Sequence, residues 1–202
     1  MAEFKPSFQI IHKMEGGYSN NPLDNGKETY CGISRRYHPD WGGWAFIDRM
    51  KAKGAIKNNT FFASLNPLVE GFYIKEFWNK MFLSFFSQDL ANQLLDFAVN
   101  SGKGRAVKTL QAIMNRFGFR LKVDGVLGKN TANAVRSFDN SKLAELLFNE
   151  REKFIAILSQ QQPAFAQAWR NRLNYLRGYI SSPAVLFPLA LVAVTIIALK
   201  SL

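Results

Sequence analysis

From Leu90 onwards, apolar side chains recur at the three- and four-residue spacing of an α-helix, and that rhythm confines the chain to a mainly α fold. Leu94, Leu95, Ala98 and Val99 form one stripe, broken at Ser101-Gly102-Lys103-Gly104. Val107, Leu110, Ile113 and Met114 form the next. Turns at Asp124-Gly125 and Leu127-Gly128 precede a helix from about Thr131, and residues 143–158 and 165–179 supply two more. The same rhythm opens the chain: Phe4, Phe8, Ile11 and Glu15 share one helical face, and Gly16-Gly17 stops it. Residues 44–50 and the aromatic-rich residues 61–85 also read as helical. Between them, Asn20-Asn21-Pro22 and Asp24-Asn25-Gly26 are turn chemistry, and residues 30–33 suit a short strand. A small β-hairpin is expected there.

The tail differs. No charged residue occurs from Gly178 to Leu199, and residues 183–199 are almost wholly apolar. At about 1.5 Å per residue, 17 to 22 residues span roughly 26 to 33 Å, near the thickness of a bilayer core. A C-terminal transmembrane helix over residues 178–202 is therefore expected, with the membrane as a partner and a membrane-anchored location in bacteria or phage-infected bacteria. Arg170, Arg172 and Arg177 precede the run and Lys200 follows it, which would leave the folded part in the cytoplasm.

Several classes are excluded. The formal net charge of +11 favours polyanionic partners: nucleic acid, anionic lipid or wall polymers. Lys and Arg are scattered and form no recognised reading module, so nucleic acid is not expected as a partner. Cys31 is the lone cysteine and reads as a small buried side chain; His12 and His38 are the only histidines, so neither a metal nor a cofactor is expected. The N-terminus lacks an apolar run long enough for a cleaved signal peptide.

Glu15 is the residue with chemical promise. It continues the apolar stripe and occupies the last helical turn, where the helix dipole disfavours negative charge. Burial and the helix end both favour the neutral acid. An ordinary Glu, with a pKa of about 4.3, is protonated in only about one molecule in 500 at pH 7, whereas a value of about 6 raises that to roughly one in ten. A protonated carboxyl is what glycoside hydrolysis requires. Asp24, nine residues on, and Thr29, five further, are candidates for the opposite side of a cleft; taken alone they read equally well as a turn cap and a strand residue.

The stretch EGGYSNNPLDNGKETYCGI, residues 15–33, resembles the signature of glycoside hydrolase family 108, a family of predicted N-acetylmuramidases with a lysozyme-like, mainly helical fold. The similarity continues through HPDWGGWAFID and the aromatic residues around Glu76, Phe77 and Trp78. Residues LLDFAVNSGKGRAVKTLQ and VDGVLGKNTANAV resemble the helical peptidoglycan-binding domain that follows in that family. The resemblance implies a catalytic region over residues 1–94, a peptidoglycan-binding domain over 95–177, and bacterial peptidoglycan as substrate. It maps the catalytic Glu onto Glu15. The Glu-Asp-Thr spacing is also similar to that of phage-type lysozymes, where the Thr lies one residue further on; it implies roles for Asp24 and Thr29. Tyr18, Asn20 and Asn21 are candidates for sugar contact, while Trp41 and Trp44 read as core aromatics. Lys27 stands where the family pattern has Gly, so a positive φ there would cost strain. The expected activity is lysozyme-type cleavage of the glycan strand in an endolysin or lysis protein. A wall-binding or lysis-accessory protein without catalysis, and a lytic transglycosylase, are the alternatives.

Overall fold

A computed structural model describes residues 1–21 and 27–180. Eight α-helices and one three-stranded sheet make up these residues: α1 (Phe4–Met14), β1 (Tyr18–Asn20), β2 (Glu28–Tyr30), β3 (Ile33–Ser34), α2 (Trp44–Lys53), α3 (Asn66–Tyr73), α4 (Gln88–Ser101), α5 (Lys103–Arg116), α6 (Lys129–Arg136), α7 (Asn140–Gln161) and α8 (Ala166–Arg177). The expected mainly helical architecture with a small β element is present.

The core is built around α4. Leu90, Ala91, Leu94, Leu95, Phe97 and Ala98 are all buried, because α1, α5 and α7 pack on successive faces of that helix. Ser87 starts α4 by accepting the Leu90 N–H, and Asp89 places a carboxylate in its first turn. A second apolar cluster joins Ile10 of α1 to Phe148 and Ile155 of α7 and to Leu173 and Leu176 of α8. The start of the chain is thus clamped between the central helix and the last two helices.

Two local features depart from the sequence reading. Residues 61–85 do not form one helix. They hold 3₁₀ turns at Ala63–Leu65 and Leu83–Phe85, the short α3, and a π turn at Ile74–Trp78. Tyr73 and Trp78, five residues apart, would face different sides of an α-helix; the wider π turn lets both be buried. Phe82, at φ 52°, precedes and caps the last 3₁₀ turn. The hairpin is likewise a three-stranded antiparallel sheet in the order β1-β2-β3. Tyr30 pairs with Ile33, so Cys31-Gly32 is a two-residue turn rather than strand. Both turn residues have positive φ, 46° and 75°, the signature of a type I′ hairpin.

The expectation of a transmembrane helix is corrected, and with it the membrane as partner and the membrane-anchored location. Among the described residues, no helix is long and apolar enough to cross a membrane. The longest, α7, has 22 residues, but buries Leu143, Leu147, Phe148 and Ile155 on one side and carries Lys142, Glu145, Glu150, Glu152 and Lys153 elsewhere. Such helices bury an apolar stripe against protein, not against lipid. The apolar run at residues 183–199 lies outside the described residues.

Candidate active site

Glu15 is the C-cap of α1. Its N–H still donates to the Ile11 carbonyl, but its own backbone is extended (φ −86°, ψ 135°), so the chain turns out of the helix at this residue. Gly17 fixes the exit: its N–H donates to Asn59 Oδ1, and a Cβ there would lie 2.4 Å from the Thr60 carbonyl oxygen. Only glycine lets the strand pass so close. Tyr18 N–H then donates to that same Thr60 carbonyl, and β1 begins.

The Cys31-Gly32 turn folds back onto the Glu15 carboxyl. Tyr73, deeply buried on α3, donates its hydroxyl to the Cys31 carbonyl at 2.8 Å and pins the turn. Burial, with the Glu15 charge nearby, pushes the Tyr73 phenol well above its ordinary value, so it stays a donor. A Cβ on Gly32 would sit 2.7 Å from the Tyr73 hydroxyl and 2.8 Å from Glu15 Oε2. Gly32→Ala is therefore expected to displace the carboxyl; with Glu15 as the acid that the family resemblance implies, kcat on peptidoglycan should fall by about 10²-fold, the cost of misplacing such a group by about 1 Å. Steady-state turbidity assays on purified sacculi check this.

Arg172 of α8 completes the immediate surroundings of Glu15. Its Nη1 and Nη2 both donate to Glu15 Oε1 at 3.1 Å, and its Nε and Nη2 donate to Asp96 of α4 at 2.7–3.1 Å. Asp96 has no exposed surface and also pairs with Arg151 of α7 at 2.7 Å. Burial would push the Asp96 carboxyl up, but the two guanidiniums more than offset it and hold it below its ordinary value. The Glu15 side chain keeps 19% exposure and Asp96 none, so of the two linked carboxylates only Glu15 can meet a substrate. The apolar stripe predicted apolar surroundings for Glu15; an arginine is there as well.

The other sequence candidates fall in different places. Thr29 is half-buried in the centre of β2, paired with Ser19 and Ser34, and strand alternation puts it on the face opposite Glu28 and Tyr30. Tyr18 is buried, with its hydroxyl donated to Glu28 at 2.9 Å, and burial followed by that carboxylate pushes its phenol up to about 12. Glu28 is in turn held by Arg35 and Lys51, both at 2.9 Å. Asn20 lies opposite Glu28 and is exposed, as is Asn21. Asp24 lies outside the described residues. Lys27 does have positive φ, 53°, so it carries the strain anticipated, on the order of 1–2 kcal/mol. Trp44 is buried and Trp41 packs edge-on against it at 5.0 Å while stacking on Tyr30. Among the described residues, no group of three or more His, Cys, Asp or Glu side chains is placed to hold a metal ion.

Sequence reasoning passed over Gly32, Tyr73, Asp96, Arg151 and Arg172. Gly32 had a signal, since the Gly-Ile step closes the family-like stretch of residues 15–33. The others had none. Cys31 is buried beside the site, and burial, with the Glu15 charge adding to it, pushes its thiol up to about 11. Native protein is expected to resist a disulfide-exchange reagent at pH 8 and to react with one equivalent only after unfolding, as absorbance of the released thiolate will report.

Residues 8–102 match the family model "Glycosyl hydrolase 108", and residues 105–183 match "Predicted Peptidoglycan domain". Residues 8–102 belong to that hydrolase family. The glycosyl hydrolase 108 region ends within one residue of the end of α4, and the peptidoglycan domain begins inside α5, so the two packed helices carry one match into the next. The pair of matches makes the chain a glycoside hydrolase acting on peptidoglycan, with peptidoglycan as its partner. The fold is also similar to the solved "Structure of Brucella abortus SagA", with a TM-score of 0.61 and 24% identity over 91% of this chain and 98% of that one. That likeness concerns the fold. None of the curated proteins matches the sequence.

Proposed function

We propose that this chain cleaves the glycan strand of peptidoglycan as a lysozyme-type N-acetylmuramidase in an endolysin role, with Glu15 as general acid. One observation carries the reading: Glu15 is the solvent-reaching carboxyl of the Glu15–Arg172–Asp96 network, held at the junction of the α1 end, the Cys31-Gly32 turn and α8. The Glu15 proton passes to the glycosidic oxygen as its bond to C1 breaks. Water then supplies the hydroxyl to C1, and its remaining proton restores the acid. Asp24 is assigned to orient that water or stabilise the positive charge that develops at C1, and Thr29 of β2 is assigned to the same cleft. Tyr18 supports the site from the buried face of the three-stranded sheet rather than touching sugar, whereas Asn20 and Asn21 are exposed where a glycan strand can reach them. Residues 1–94 supply the acid, and residues 95–177 the wall-binding part.

Mass spectrometry of borohydride-reduced digests of sacculi tests the proposal. Reduced N-acetylmuramic acid ends are the expected product. Anhydro ends would make the chain a lytic transglycosylase, reduced N-acetylglucosamine ends would make it a glucosaminidase, and an undigested sacculus with bound protein would make it a wall-binding accessory.

A further inference from the structure

The carboxyl at the head of the family-like motif takes its partner from the far end of the chain, 157 residues away. Arg172 lies in α8, inside the stretch that matches the peptidoglycan domain. Its guanidinium has two working edges. One edge, through Nε and Nη2, grips both oxygens of Asp96 in the planar fork that carboxylates favour. Asp96 cannot shift to accommodate it, because it is fully buried and also holds Arg151, which lies against the Phe97 ring at 5.1 Å. The other edge, Nη1 and Nη2, is thereby aimed at a fixed point, and Glu15 Oε1 occupies it.

Both of these hydrogen bonds reach Oε1. A guanidinium only donates, so a protonated Glu15 keeps them best through its unprotonated oxygen, much the stronger acceptor of the two. This arrangement favours the proton on Oε2, the oxygen that lies against Gly32. The titratable groups facing the Glu15 carboxyl are Arg172 from α8, Tyr73 from α3 and Cys31 from the turn, with Asp96 and Arg151 behind Arg172. Tyr73 donates to the Cys31 carbonyl, which leaves Arg172 to orient Oε1.

We propose that Arg172, anchored by Asp96, is a positioning residue that fixes Glu15 Oε1 so that Oε2 is the oxygen delivering the proton, and that α8 thereby makes the wall-binding part of the chain a component of the hydrolytic site. This rests on the reading of Glu15 as the acid. In that case the second part of the chain contributes to turnover and not only to affinity for the wall.

The test uses the full chain, with Arg172→Ala, Arg172→Lys and Glu15→Gln compared with the parent on soluble, uncrosslinked glycan strands. Arg172→Ala is expected to lower kcat by about 10²-fold, the usual cost of a misplaced catalytic group, while KM and sacculus binding stay at parental values. Added guanidinium is expected to restore part of that kcat, which a merely structural loss would not allow. Arg172→Lys keeps the charge facing Asp96 but lacks the fork, and is expected to stay folded with kcat still reduced; it decides the matter should the Ala variant fail to fold. Parental kcat in a folded Arg172 variant overturns the inference, as does a loss that guanidinium leaves untouched and that follows sacculus binding. Parental activity in Glu15→Gln instead removes the reading of Glu15 beneath it.

Discussion

Replacing Glu15 with Gln is expected to lower glycan cleavage by about 10²–10⁴-fold, the contribution of a positioned general acid, while fold and wall binding persist. The amide has the shape of the acid, and its oxygen can still accept from Arg172 at the place Oε1 now holds. Arg172 keeps Asp96, so no guanidinium is left without a carboxylate. What disappears is the proton. The amide cannot give one up to the glycosidic oxygen, and Asp96 cannot take over because it has no exposed surface. Release of muropeptides from sacculi gives the rate, circular dichroism gives the fold, and pelleting with sacculi gives the binding. A variant that binds and folds like the parent yet still releases muropeptides at the parental rate would remove Glu15 from the chemistry.

Asp96→Asn is expected to destabilise the protein by about 3–5 kcal/mol, the cost of removing one partner from a buried ion pair. Against a typical total of about 5–15 kcal/mol, that is a large fraction. Arg151 is 1% exposed and pairs with this carboxylate, and Arg172, mostly buried, divides its guanidinium between it and Glu15, where α1, α4, α7 and α8 meet. The amide offers one acceptor oxygen and no charge, so at least one guanidinium loses its compensation. The pH dependence has a definite sign. The folded carboxyl lies below its ordinary value, so its stabilising contribution is complete above the unfolded pKa of about 3.9 and is lost as pH falls through the lower folded value. Urea unfolding at pH 7 and at pH 3 checks both statements: the gap between parent and variant should be widest at pH 7 and smaller at pH 3, where loss of the contribution has begun. An equal gap at both pH values would mean that charge at Asp96 is not what holds the four helices together.

The two expectations touch the same network from opposite ends. Glu15 is the end that meets solvent and is expected to be dispensable for folding, while Asp96 is the sealed end on which helix packing is expected to depend. Arg172 joins them, so variants at Asp96 should slow turnover even at temperatures where they remain folded.

The sequence by itself determined the helices that bury apolar stripes, the stop of the first helix at Glu15-Gly16-Gly17, and the family-like stretch that singles out Glu15. These are encoded by neighbours within a few residues, through side-chain periodicity and backbone preference, so they can be read from a linear string. The family resemblance, which has Gly where Lys27 stands, pointed to a cost should that position need positive φ, and Lys27 does adopt it. Tertiary structure alone decided the rest. Nothing near Arg172, Asp96 or Arg151 in sequence distinguishes them from ordinary charges on helices, which are usually solvated. Their role exists because four helices converge and exclude water, making each charge depend on the next. Tyr18 looked like a sugar contact but its hydroxyl is held by Glu28 against the sheet, and Cys31 is not a usual turn residue yet Cys31-Gly32 turns tightly under the Tyr73 hydroxyl. Pairings of this kind link residues dozens of positions apart, and no local pattern records which distant partner the fold will bring within hydrogen-bonding reach.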